Sequence, residues 1–90
     1  MTTRAISPAA TRTFAFDWSQ AYPGNSISSV TVTAPDGGLT VNSNSATGLL
    51  VTYSLTPLAG VVSGDYRIRC TPTFADGQID SADDTFNITY

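Results

Sequence analysis

The chain of 90 residues contains no lysine, no glutamate and no histidine. All four bases are Arg and all seven acids are Asp, for a formal net charge of −3. Lys and Glu are good helix formers that usually cover exposed helical faces, so their absence argues against helices. Without His or Lys, the commonest general base and the amine nucleophile are both missing, which disfavours catalysis. The acidic balance argues against nucleic acid, since phosphate binding needs clustered Lys and Arg. It also disfavours an anionic membrane surface. No apolar run approaches the ~20 residues that a membrane span needs. A single Cys, Cys70, cannot form an internal disulfide, so the fold is expected not to depend on an oxidising compartment. The opening residues, 1–8, lack the apolar segment of a secretion signal.

Thr and Ser are abundant, at roughly a quarter of the chain, with Val, Ile, Phe and Tyr beside them. These residues suit a pleated, half-buried surface. Their order matters more than their number. Val30, Val32 and Ala34 fall on one parity, as do Leu39 and Val41, and again Leu49, Val51, Tyr53 and Leu55. Thr and Ser fill many of the intervening positions. Successive strand side chains point to opposite faces, so the pattern predicts sheets with one apolar side and one hydroxyl-rich side. With 41% apolar residues the chain can build one core, although a domain this short buries only about 60–65% of its unfolded surface.

Strands are expected at residues 13–18, 27–34, from 39 to 42 or a little beyond, 49–55, 65–74 and 85–90, with a further short one around Ile79. Tyr22-Pro23-Gly24-Asn25, Pro35-Asp36-Gly37-Gly38 and Ala75-Asp76-Gly77 carry the turn chemistry between them. Ile27 is out of parity with Val30 and Val32, which predicts a bulge near Ser28-Ser29. Pro72 lacks an amide donor, so its end of the strand belongs at an edge or bulge. Residues 56–64 cross one end of the domain, with Leu58 and Val61 placed to plug it. The expected fold is all-β: an Ig-like antiparallel two-sheet sandwich of six to seven short strands, over residues 12–90. Residues 1–11 lack periodicity and read as a loose N-terminal arm, separate from the sandwich and dispensable for folding.

Phe14, Phe16 and Trp18 share a face and read as core; the sharper alternative is an exposed aromatic row that binds a sugar or a partner. Cys70 alternates with Ile68 and Tyr66, so a buried, inert thiol is the better reading. Asp76, Asp80, Asp83 and Asp84 cluster near the end of the chain but lack the order of a calcium loop, and no metal or other cofactor is expected. Asp80, Asp83 or Asp84 can pair across strands with Arg67 or Arg69. Asn87-Ile88-Thr89 matches a glycosylation sequon, read as chance because no export signal accompanies it. In Gly64-Asp65-Tyr66, the Tyr is placed to anchor a corner of the sandwich.

Several stretches together resemble one family. They are Phe14-Ala15-Phe16-Asp17-Trp18-Ser19, residues 27–33, Gly38-Leu39-Thr40-Val41, residues 60–66 with Cys70, and Asp76-Gly77. The family comprises small tailed-bacteriophage proteins of Ig-like β fold, labelled fibre–tail adaptor or virion structural protein, and the likeness spans residues 12–90. The chain departs from it at Thr56-Pro57-Leu58, where members often carry Gly-Gly, and at Pro72. The resemblance implies a non-enzymatic structural component of the virion. Such a component docks in several copies onto other virion proteins of the tail, fibre or capsid, after assembly in the host cytoplasm. The alternatives are a capsid decoration protein, and a carbohydrate or host-surface binding module using Tyr22, Tyr53 or Trp18. Arg4, Ile6 and Pro8 are the expected partner contacts, carried by the free arm as it lies across a neighbouring subunit.

Overall fold

The computed structural model describes residues 3–7 and 10–88. Seven strands follow in chain order, with no helix among the described residues: β1 (Thr3–Ile6), β2 (Arg12–Asp17), β3 (Ile27–Thr33), β4 (Leu39–Thr47), β5 (Leu50–Pro57), β6 (Gly64–Phe74) and β7 (Ala82–Ile88). They form two sheets, ordered β1-β7-β6-β3 and β2-β5-β4. Every pairing is antiparallel except that of β1, which runs parallel to β7. The groups β2-β5-β4 and β3-β6-β7 are those of an immunoglobulin-like sandwich, here with the first strand attached to the last.

Alternation builds both sheets. Along β5, Val51, Tyr53, Leu55 and Pro57 are buried while Thr52, Ser54 and Thr56 are half-buried. Along β6, Ile68, Cys70, Pro72 and Phe74 are buried in turn. Phe14 and Phe16 of β2 meet this interior, with Phe14 edge-on to Phe86 at 4.7 Å and Phe16 at 5.3 Å from Tyr53. Trp18, just past β2, is 7% exposed, so the row Phe14, Phe16, Trp18 is core. Each such side chain contributes about 1.5–3 kcal/mol relative to exposure.

The bulge expected near Ser28-Ser29 is present as a register shift between Ile27 and Ser29. β7 pairs with β6 only as far as Cys70 opposite Ala82, so at Pro72 only β3 flanks β6 as a paired strand. The polar run that follows Val41 remains in β4 up to Thr47, because beyond a bulge at Asn42 β5 supplies partners for each of residues 43–47.

The arm is the main correction. Residues 3–6 form β1, in register with residues 85–88, and Ile6 is 2% exposed within the core. The sandwich therefore begins within residues 1–11 and not at residue 12. A short segment without periodicity still orders where a free sheet edge satisfies its backbone and an open core position takes its one large apolar residue. Three smaller corrections follow. Ile79 makes a single bridge to Thr73 and is 67% exposed, so it does not form a strand. The last strand starts at Ala82, because Asp83 and Asp84 pair with Arg69 and Ile68. Leu58 is 48% exposed and does not plug its end, where Val61 packs against the core instead. Tyr90, expected on the inner face of the last strand, lies outside the described residues.

Candidate interaction surface

Two outer faces, two ends and four edge strands make up the surface. The outer face of β6 and β7 is charged. Arg67 donates from Nε and Nη2 to the two oxygens of Asp36, at 3.0 and 2.8 Å, and its main-chain N–H bonds the same carboxylate. Arg69 grips Asp83 through Nε at 2.9 Å, with Arg67 3.6 Å from Asp83. The Arg67 hydrogen bonds hold the Asp36 carboxyl down at about 2, and Arg69 holds that of Asp83 below its ordinary value. Asp83 was legible as an arginine partner. Asp36 was not, because it sits in a turn 31 residues away and only the fold brings it to Arg67.

The outer face of β5 and β4 is neutral. Ser45 and Thr52 share a hydroxyl hydrogen bond at 3.0 Å, the Asn42 amide donates to Thr56 at 2.8 Å, and Thr56 pairs with Thr11 at 2.8 Å. Neither β4 nor β5 contains a charged residue.

One end is closed by Tyr66, whose hydroxyl donates to the Val62 carbonyl at 2.7 Å, the corner role expected of it. Its ring lies against Gly38, where an added Cβ would collide with the ring carbons. Gly38 also has φ of +76°, so both its backbone and its neighbour require glycine. At the other end Tyr22 stacks on Phe74 at 4.0 Å and donates to Asp80 at 2.7 Å. That bond raises the Tyr22 hydroxyl and lowers the Asp80 carboxyl.

A sugar-binding row of Tyr22, Tyr53 and Trp18 does not form. Tyr53 is 1% exposed and Trp18 7%, and Tyr22 is engaged by Phe74 and Asp80. Trp18 Nε1 is buried beside the Cys70 thiol, too far or too misaligned for a full hydrogen bond but near enough to favour a charge on the sulfur. Burial pushes the Cys70 thiol up to about 11 and the nearby indole N–H draws it partly back, so the thiol stays protonated and unreactive at neutral pH.

Of the expected contact residues, Ile6 is a core side chain. Arg4 is partly exposed, 3.6 Å from Asp84 and 5.4 Å over the Phe14 ring. Pro8 lies outside the described residues. Asp84 occupies a core-facing position of β7, where it accepts from the Tyr53 hydroxyl at 3.2 Å. Beside it an open cleft of about 580 Å³ is lined by Phe16, Arg69, Ser81, Ala82, Asp83 and Asp84. The acids of the C-terminal cluster go to Arg69, Tyr53, Tyr22 and, for Asp76, the main-chain N–H of Gln78 at 3.1 Å. Among the described residues no group of three potential ligands is arranged to hold a metal.

The molecule is thus a small two-sheet β domain whose distinctive chemistry lies on its faces and edges, with the build of a structural or binding protein. A family model described as podophage GP4 fiber-tail adaptor protein gp77 matches residues 7–87, and the chain belongs to that family. No curated protein matches the chain.

Proposed function

We propose that this protein is a non-enzymatic adaptor that joins a phage tail to its fibres through protein–protein contacts. Several copies act per particle, without nucleic acid, membrane or cofactor. The family match over residues 7–87 carries this reading. Its surface suits an adaptor, since a rigid sandwich can dock through faces and unpaired strand edges, and a strand edge can take a partner by main-chain hydrogen bonds. Arg4, partly exposed at the β1 edge, is one contact on this reading. Particles assembled in the host cytoplasm without this chain should keep their capsids and tails and lose their fibres. Electron microscopy and proteomics of such particles test this. Fibres retained at normal occupancy would sink the adaptor role, and loss of density from the capsid surface alone would establish decoration instead.

A further inference from the structure

We propose that Asn25 is a site of spontaneous deamidation, selected by the fold from three Asn-Ser dipeptides of identical sequence. The three are Asn25-Ser26, Asn42-Ser43 and Asn44-Ser45. The reaction needs only the chain and water, and it does not depend on the adaptor role. The Ser26 main-chain nitrogen attacks Cγ of Asn25, its proton passes to the departing amide nitrogen, and ammonia leaves. Water then opens the five-membered succinimide at either carbonyl, giving aspartate or isoaspartate. A small residue after Asn leaves the attacking nitrogen accessible, and Asn counts among the thermolabile residues.

All three dipeptides offer the same groups, so geometry decides between them. At Asn25 the reacting groups are already together. The Ser26 main-chain N–H donates to Asn25 Oδ1 at 2.9 Å, which sets the nitrogen at near-attack range of the side-chain carbonyl. Ser26 precedes β3, and this is the one hydrogen bond of its N–H among the described residues. Asn25 is half-buried and Ser26 exposed, so water reaches the pair. In β4 the same chemistry is obstructed. Ring closure must turn the backbone about the Asn Cα–C bond. There the turn breaks the pairing with β5, in which Ser43 stands opposite Ser54, Asn44 opposite Tyr53 and Ser45 opposite Thr52. The Asn42 amide is also held by Thr56 at 2.8 Å. The fourth Asn, Asn87, donates to Asp65 at 2.9 Å and precedes the branched Ile88.

Chemistry sets aside the aspartates that share parts of this arrangement. The Ser81 N–H donates to Asp80 Oδ1 at 2.7 Å, yet the Tyr22 hydroxyl, together with that N–H, keeps the Asp80 carboxyl ionised. An ionised carboxylate is a poor electrophile with no neutral group to lose. In Asp36-Gly37 and Asp76-Gly77 the glycine N–H is committed to the carbonyl of Ala34 or Phe74, at 3.0 and 2.9 Å. The product at Asn25 alters this end of the sandwich. The Gln78 N–H, and with it the Asn25 amide, holds the Asp76 carboxyl below its ordinary value. Deamidation puts a second carboxylate where that donor stood, and like charges then meet. Isoaspartate also lengthens the main chain beside the Ser26 carbonyl, which accepts from Ala75 at 2.8 Å and ties this loop to the turn after β6.

The full chain, incubated in mildly alkaline buffer and read by peptide mapping, should form acid at Asn25 at least about tenfold faster than at Asn42 or Asn44. Isoaspartate should accompany aspartate there. In denaturant the three rates should converge, because the dipeptides are then alike. Asn25→Asp should lower the unfolding midpoint, and adding Asp76→Asn, which keeps an oxygen for Gln78, should restore most of it. Equal rates at the three sites of the folded chain, a ranking that survives denaturant, or acid without isoaspartate at Asn25 overturns the proposal. An Asn25→Asp midpoint equal to that of the wild type overturns the repulsion from Asp76.

Discussion

The two outer faces of the sandwich rest on the same core and obey the same alternation, yet they are held differently. On β6 and β7 the outward positions carry Arg67, Arg69 and Asp83, and the Arg67 pair reaches out of the sheet to seize Asp36 in the turn between β3 and β4. On β5 and β4 the outward positions carry hydroxyls and amides that bond only to neighbours in or beside their own sheet. Charge thus ties a sheet to a distant connection, whereas short neutral side chains tie strand to strand. The edges follow suit. The charged sheet is capped on one side by β1 with Arg4, and the neutral sheet leaves β4 bare. A surface without long charged side chains costs less to desolvate and less to order when something docks on it.

The largest test of this contrast is the cap itself. Ile6→Ala removes a side chain that is 2% exposed and should cost about 2–5 kcal/mol in denaturant unfolding. Deleting residues 1–11 should cost at least as much, since it also strips the β1 pairing. Stability unchanged by the deletion would mean that both sheets have bare edges, and the contrast would fail. Next comes the corner beneath Asp36. Gly38→Ala combines positive φ with a collision against the Tyr66 ring, whereas Gly37, at φ of +70°, has nothing within 4 Å of an added Cβ. The first should cost about 1–3 kcal/mol and clearly more than Gly37→Ala, which isolates the ring contact in the difference. Equal losses would show that Tyr66 yields freely.

Smaller effects separate the faces by pH. The Asp36 carboxyl sits at about 2 in the folded chain against an ordinary value of 3.8. Its contribution is therefore fully present above pH ~4 and is lost as pH falls from about 4 towards 2. Asp36→Asn should lower stability at neutral pH and make the acid limb of the stability profile shallower in that window. An unaltered limb would remove Asp36 from the account. Thr52→Ala, on the neutral face, should shift stability by no more than about 0.5 kcal/mol, with no change in pH dependence.

Much of the fold was legible because alternation is local. Tyr53, Ile68 and Phe86 declare their inward direction through their immediate neighbours, and the bulge at Ser28-Ser29 through a break in parity. The residues expected to make contacts, and the acids near the end of the chain, were less legible. Ile6 read as an arm residue because one apolar side chain in a polar stretch has no period from which burial can be inferred. Asp84 read only as one of three aspartates able to pair with Arg67 or Arg69. Its inward position follows from the register of β7 against β6, with Asp84 opposite Ile68, and that register is a property of two strands at once.

What the amino-acid order determined alone was the two-residue period, the sites of the turns, and the chemistry offered to solvent: arginine and aspartate late in the chain, hydroxyls and amides in the middle. Which strands became neighbours was settled only in three dimensions. β1 joined β7, Asp36 met Arg67, and β4 was left with one open side, because strand partnership depends on backbone groups brought together from distant parts of the chain. A side-chain period specifies which way each residue faces and says nothing of who stands beside it.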